Sequence, residues 1–131
     1  MKKLLFLLLL VSFTSMFSQE NKVVYLRAQT ASMGVRADEF TAVSEWIVDG
    51  REVSILIELH QTKVTIHSPK VQNYYVVKQV EAQETVKKWL CKDPDGQSCY
   101  VAMHYLENYP DLLTIAVEYN DLVWFYICTR E

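Results

Sequence analysis

The stretch Cys91–Cys99, "CKDPDGQSC", combines two thiols and two carboxylates. It could bind calcium, act as a redox-active cysteine pair, or form a stapled turn, that is, a turn closed by a structural disulfide. A calcium loop of the EF-hand type needs a glutamate at its twelfth position and a glycine at its sixth. Counted from Asp93, the twelfth residue is His104, and Gly96 falls at the fourth position. Redox pairs usually have two residues between their cysteines, whereas seven lie between these. We therefore interpret the stretch as a stapled turn.

The turn geometry predicts how the staple forms. Pro94 favours a type I turn, and Gly96 can adopt the left-handed conformation behind it. The resulting three-residue loop pairs Asp93 with Gln97 and places Cys91 opposite Cys99. Opposed residues on antiparallel strands have Cα atoms ~4.5–5.5 Å apart, which is within disulfide range. The sequence therefore predicts a Cys91–Cys99 disulfide.

The third cysteine and the histidines provide no convincing catalytic constellation. Cys128 follows the apolar alternation of its strand, beside Leu113, and we interpret it as a buried thiol. His60 and His67 share the polar face of one hairpin with Glu58, but His67 pairs with Leu56 in the predicted register. That register separates the histidines by about four residues along a strand, ~13 Å, too far for a shared metal ion.

No motif for enzymatic chemistry stands out elsewhere in the chain. There is no glycine-rich phosphate loop, no Gly-x-Ser-x-Gly and no His-Glu-x-x-His. Paired carboxylates such as Asp93 and Asp95, or Glu81 and Glu84, fall in polar stretches where solvated charge is the default. We predict a protein that is not an enzyme and that uses no cofactor and no metal.

The start of the chain has the layout of a secretory signal peptide. Lys2 and Lys3 precede an apolar run from Leu4 to Val11, which small and polar residues follow up to Ser18. The run is shorter than the ~20 residues that span a bilayer, so we expect no stable membrane anchor after cleavage. The prediction is a signal peptide at 1–18, a single domain at 19–131, and a secreted or periplasmic location.

Charge narrows the range of partners. Removing residues 1–18 takes away two lysines and none of the 16 acidic residues, so the formal net charge moves from −3 to −5. An acidic domain without a cluster of lysines or arginines argues against nucleic acid. We expect a protein or another surface as partner.

Three hairpins follow from the alternation of apolar and polar residues. In the first, an Asp49-Gly50 turn pairs Trp46 with Val53. The other two have their turns at Gln61-Thr62 and Asn120-Asp121, and their predicted pairs are Leu59 with Val64, Ile57 with Ile66, Val117 with Trp124, Ile115 with Tyr126, and Leu113 with Cys128.

The remaining apolar segments predict further strands near 23–29, 71–80, 98–106, 111–119 and 122–129. Residues 81–91 have apolar residues at helical spacing, and although neighbouring hairpins favour a strand there, a helix remains an alternative.

These elements predict an all-β, single-domain antiparallel meander of about eight to nine strands. A sheet this long with one apolar face must curl to cover that face, as a closed barrel or a half-barrel. The architecture resembles that of the lipocalins and fatty-acid-binding proteins. The resemblance is one of architecture, because the lipocalin Gly-x-Trp pattern is absent and Trp46 lies in "SEWIV".

The aromatic residues carry the functional hypotheses. Trp46, Trp89, Trp124 and Tyr126 are expected on the inner face, as core or as the lining of a ligand site. Tyr74-Tyr75 places one ring on each face of its strand, so either Tyr75 or Tyr74 is expected on the inner face. Tyr74 and Phe125 are the candidates for an outer contact surface.

We expect so many large side chains to fill the interior. The leading hypothesis is therefore a module that binds another macromolecule through a sheet face or rim. The alternative, a carrier of an apolar ligand, would be favoured by an enclosed apolar cavity of at least ~300 Å³. An enzyme with surface-loop chemistry is a third, weaker alternative.

Overall fold

Eight antiparallel strands in sequential order close into one barrel, with β1 paired to β8. The computed structural model describes residues 23–131, so the predicted signal peptide at 1–18 lies outside the described residues. The strands are β1 (Val24–Val35), β2 (Glu45–Leu59), β3 (Lys63–Ser68), β4 (Lys70–Ala82), β5 (Val86–Lys92), β6 (Ser98–Tyr105), β7 (Leu112–Glu118) and β8 (Leu122–Arg130). The predicted all-β, lipocalin-like architecture is confirmed, and the barrel is closed.

Most of the predicted hairpin registers are confirmed. Leu59 pairs with Val64 and Ile57 with Ile66 across the β2–β3 turn. The predicted pairs of β7 with β8 and of β5 with β6 are also present, including Cys91 with Cys99. Residues 86–92 form a strand and not a helix. The period-two pattern succeeds here because each of these turns is short and each strand buries one face.

The predicted hairpin at Asp49-Gly50 is wrong, because β2 runs straight through this dipeptide. Gly50 has φ 61°. Between the pairs Ala31–Arg51 and Met33–Val48, the register advances two residues along β1 but three along β2. Gly50 thus belongs to a β-bulge, a second setting in which a left-handed glycine is favoured. The Gly50 N–H donates a hydrogen bond to Ser32 Oγ at 2.8 Å. Merging two predicted strands into one also explains why the barrel has eight.

A further irregularity turns Trp46 outward. Met33 pairs with Val48 and the next residue, Gly34, pairs with Trp46. An advance of one residue along β1 thus matches an advance of two residues along β2. Each extra residue reverses the alternation of side chains between the faces. Trp46 is therefore 43% exposed on the outer face and is not the inner-face residue that the sequence predicted. Its ring meets Phe125 edge to face, with centroids 6.4 Å apart.

The connection between β1 and β2, residues 36–44, covers part of the outer wall. Val43 and Phe125 pack against a small cluster of Ala102, Ala116 and Val123. Gly34 allows this approach, because a Cβ at that position would lie 2.5 Å from Val43 Cγ1. The guanidinium of Arg36 anchors the connection by donating hydrogen bonds to the carbonyl oxygens of Tyr119 and Asn120.

The interior is filled mainly by branched and aromatic side chains from all eight strands. Its fully buried members include Leu26, Ile57, Ile66, Val101, Ile115, Val117, Cys91 and Cys128. No buried side-chain nitrogen or oxygen among the described residues lacks a hydrogen-bond partner. The apolar interior therefore holds the barrel together without unsatisfied polar groups inside it.

Candidate functional site

The loop Cys91–Cys99 is organised around the carboxylate of Asp93, which is only 7% exposed. Asp93 Oδ1 accepts hydrogen bonds from the backbone N–H groups of Asp95 and Gln97, at 2.9 and 2.7 Å. Asp93 Oδ2 accepts one from the hydroxyl of Tyr119, at 2.8 Å. Both carboxylate oxygens are thus used to hold the turn, which supports the structural interpretation of this stretch.

The predicted Cys91–Cys99 disulfide is absent, although the predicted register is correct. All three cysteines of residues 23–131 are buried free thiols. The Cys91 thiol donates a long hydrogen bond, 3.7 Å, to the carbonyl oxygen of Trp89. Burial raises the thiol pKa values of Cys91 and Cys99 to about 11 and about 12. Because thiol–disulfide exchange requires a thiolate, this environment slows oxidation of the pair.

Cys128 belongs to the core cluster, opposite Leu113 as predicted, and is fully buried. Burial raises the pKa of its thiol to about 12. A thiol that stays protonated and that solvent does not reach is a poor nucleophile. The geometry favours the interpretation of Cys128 as part of the core.

The Glu58 carboxylate lies between two histidines on the outer wall. Glu58 Oε2 is 2.6 Å from His67 Nε2, and Oε1 is 3.7 Å from His60 Nε2. The register pairs Glu58 with Thr65, so the His67 side chain reaches it diagonally across the hairpin. Sequence reasoning considered pairing only directly across the strands and missed this contact. Within the part of the chain that the structure describes, no group of three or more potential ligands is placed to hold a metal ion.

Three of the four aromatic residues predicted for the inner face are found there. Tyr126 is buried in the core, whereas Trp89 and Trp124 are partly buried against it. Burial raises the pKa of Tyr126 to about 12. Trp46, described above, is the exception.

The predicted contact residue Tyr74 is wrong, and its neighbour Tyr75 occupies the outer face. Val64 pairs with Tyr74, and because Val64 faces the core, Tyr74 does too, at 4% exposure. Tyr75 is 54% exposed. The sequence signal for this orientation is the short connection around Pro69. A tight turn there fixes the register that pairs Val64 with Tyr74 and so determines which of the two tyrosines faces the core. Phe125, the other predicted contact residue, is on the outer wall but is partly covered by Val43 and Trp46.

An apolar and basic surface surrounds Tyr75 on the outer wall of β3, β4 and β5. Lys63 and Lys92 are the cross-strand neighbours of Tyr75 on its two sides. A register shift in β4 leaves Val77 unpaired and 56% exposed. We call this the Tyr75 surface, and its residues are Lys63, Val71, Tyr75, Val77, Lys78 and Lys92.

A second feature is an open cleft in the barrel wall, beside β2. It has a volume of about 580 Å³ and is not enclosed. We call it the β2 cleft, and its lining includes Val53, Ile55, His67, Pro69, Trp124 and Tyr126. Its apolar side belongs to the inner face of the barrel, so the wall is incomplete at this point.

Comparison of the chain with family models, with curated proteins and with solved structures found no match. The fold therefore defines the class, an eight-stranded up-and-down β-barrel, and the surfaces described above carry the functional argument. No helix in residues 23–131 is long and apolar enough to cross a membrane.

Proposed function

We propose that this protein is an exported, non-catalytic binding module that contacts an acidic protein partner through the Tyr75 surface. The observation that carries the proposal is the exposed ring of Tyr75 between Lys63 and Lys92. Tyrosine is enriched at protein interfaces because its ring offers a large apolar area at a small cost in side-chain entropy.

Charge supports an acidic partner. The Tyr75 surface presents three lysines on a chain whose formal net charge is −3. An acidic partner would be attracted to this face and repelled by most of the remaining surface, so the charges would orient the encounter. Val71 and Val77, both more than half exposed, would extend the apolar contact along β4 on either side of Tyr75.

The alternative of an apolar-ligand carrier has weaker support. The β2 cleft exceeds the volume of a small ligand, but it is open to solvent at the wall. Carrier sites usually bury 70–90% or more of the ligand surface, which an open cleft does not achieve. We therefore do not propose carriage as the function.

The test compares three baits of the mature protein in pull-downs from the exported fraction of the native source. Tyr75→Ala removes the central ring, and Tyr109→Ala is the matched control, because Tyr109 is 62% exposed on the β6–β7 connection. We expect a partner that wild type and Tyr109→Ala retain and Tyr75→Ala loses. Purified partner should then bind Lys63→Glu more weakly than wild type at low salt. Equal capture by all three baits would contradict the proposal.

A further inference from the structure

The edge of β2 next to the β2 cleft is unpaired over most of its length. β2 pairs with β1 from Glu45 to Leu59, but its pairing with β3 covers only Ile57–Leu59. Among residues 23–131, no strand other than β1 and β3 packs against β2. Residues 45–56 therefore present one row of backbone N–H and C=O groups without a neighbouring strand, and such a row is a template for an added strand.

The side chains along this edge are compatible with an occupant of defined chemistry. Residues 45–52 are almost all exposed, so the edge is accessible. Over residues 45–54 the charges are Glu45, Asp49 and Glu52 against Arg51, a net charge of −2. The adjacent cleft offers Ile55, Trp124 and Tyr126 to apolar side chains.

We propose that β2 accepts an extended segment of a partner protein in which apolar residues alternate with basic ones. The segment would pair with the free edge through its backbone and complete the barrel wall. Because alternate side chains of a strand point to opposite faces, its apolar residues would enter the cleft and its basic residues would lie near Glu52. This site is separate from the Tyr75 surface and does not depend on it.

Charge distinguishes this occupant from a second copy of the chain. Two copies joined edge to edge would bring together two segments of the same net negative charge, and like charges across an interface oppose association. The bulge at Gly50 would also have to be accommodated on both sides of the joint. A basic segment avoids the repulsion and needs only to follow the bulge.

The test uses a nine-residue peptide, acetylated and amidated, that alternates lysine with valine and has a central phenylalanine. Two isomers each carry four N-methyl groups on alternate backbone nitrogens, at the first four odd positions in one and at the four even positions in the other. Calorimetric titration measures their affinity for the mature protein. In an added strand, only every second N–H group points to the edge, and an N-methyl group removes the donor. We therefore expect the isomer methylated on the solvent-facing nitrogens to bind like the parent peptide, and the isomer methylated on the edge-facing nitrogens to bind at least about tenfold more weakly.

Protein variants locate the binding. Glu52→Lys should weaken binding, and the matched control Glu107→Lys, which makes the same charge change on the β6–β7 connection, should not. Tyr75→Ala should bind the peptide like wild type, which separates this site from the proposed function. No binding of the parent peptide up to millimolar concentration, or equal binding of both isomers, would overturn the proposal. So would a wild-type dimer in sedimentation that excludes the parent peptide, because a second copy would then hold the edge.

Discussion

The hydroxyl of Tyr119 donates a hydrogen bond to Asp93 Oδ2 at 2.8 Å and so joins the β7–β8 turn to the β5–β6 turn. Asp93 holds its own turn through Oδ1, so one buried carboxylate organises two connections. Burial, together with the hydrogen bond to Asp93, raises the pKa of Tyr119. This contact makes the two neighbouring turns at this end of the barrel dependent on each other.

We expect Tyr119→Phe to destabilise the protein by about 1.5–3 kcal/mol, because it leaves a buried carboxylate oxygen without its donor. The free energy of unfolding in urea measures the effect. The matched control is Tyr109→Phe, which removes a hydroxyl from an exposed ring and should change stability by less than about 0.5 kcal/mol. Equal effects of the two variants would show that the Asp93 contact contributes nothing.

Gly34 is expected to tolerate no side chain while Val43 is in place. In Gly34→Ala the new Cβ would meet Val43 Cγ1 at 2.5 Å, and overpacking of this kind destabilises by about 1–3 kcal/mol. Val43→Ala removes the clashing methyl groups, so the double variant should be less unstable than the sum of the two single variants. Thermal or urea unfolding of all four proteins completes the cycle. Additive losses would mean that Val43 does not pack against Gly34.

The part of the fold that the sequence predicts is the part governed by strict alternation. In β7 and β8, for example, Leu113, Ile115 and Val117 face Cys128, Tyr126 and Trp124 because each strand is regular and the turn at Asn120-Asp121 is tight. Alternation fails where a strand contains an extra residue. At Gly50 the same Asp-Gly dipeptide suits a hairpin turn and a bulge. Only the pairing of Arg51 with Ala31 and the hydrogen bond from the Gly50 N–H to Ser32 Oγ, both formed on folding, decide between them.

The candidate sites were less predictable, for the same physical reason. One residue of register decides whether Tyr74 or Tyr75 faces solvent, and the alternation alone allowed either. The β2 cleft depends on the difference in length between β2 and β3, which no local pattern encodes. Sites that arise from irregular pairing therefore require the three-dimensional register.

The native protein should contain three free thiols. Ellman's reagent should react slowly with the folded chain, because the thiols of Cys91, Cys99 and Cys128 are buried and stay protonated at neutral pH. Unfolding in guanidinium without a reductant should expose three thiols per chain. One reactive thiol per chain would show that Cys91 and Cys99 are oxidised to each other, as their register permits.

Export is tested by the mass of the chain in its native compartment. The basic, apolar and small-residue order of residues 1–18 predicts a mature protein that begins near Gln19. Intact-mass measurement of protein from an exported fraction should show the loss of about these residues. A full-length chain in that fraction would contradict the signal-peptide interpretation.

The last prediction concerns alkaline pH and Cys128. Burial raises the pKa of this thiol from its ordinary 9.0 to about 12, so at pH 10 the folded chain keeps a proton that the unfolded chain has released. The contribution of this protonated thiol to the free energy of unfolding is fully present below about pH 9. It decreases by about 1.4 kcal/mol per pH unit as the pH rises from there toward 12.

The other buried thiols act in the same direction, so the wild type should lose stability steeply above pH 9. Cys128→Ala removes one titrating group. The free energy of unfolding of Cys128→Ala should be lower than that of wild type at pH 8 but should fall less steeply from pH 9 to 10.5. The difference between the two slopes should correspond to about one bound proton. Urea unfolding at four pH values in this range measures both curves. Parallel curves would mean that Cys128 titrates alike in the folded and unfolded chains, and its place in the core would then not perturb it.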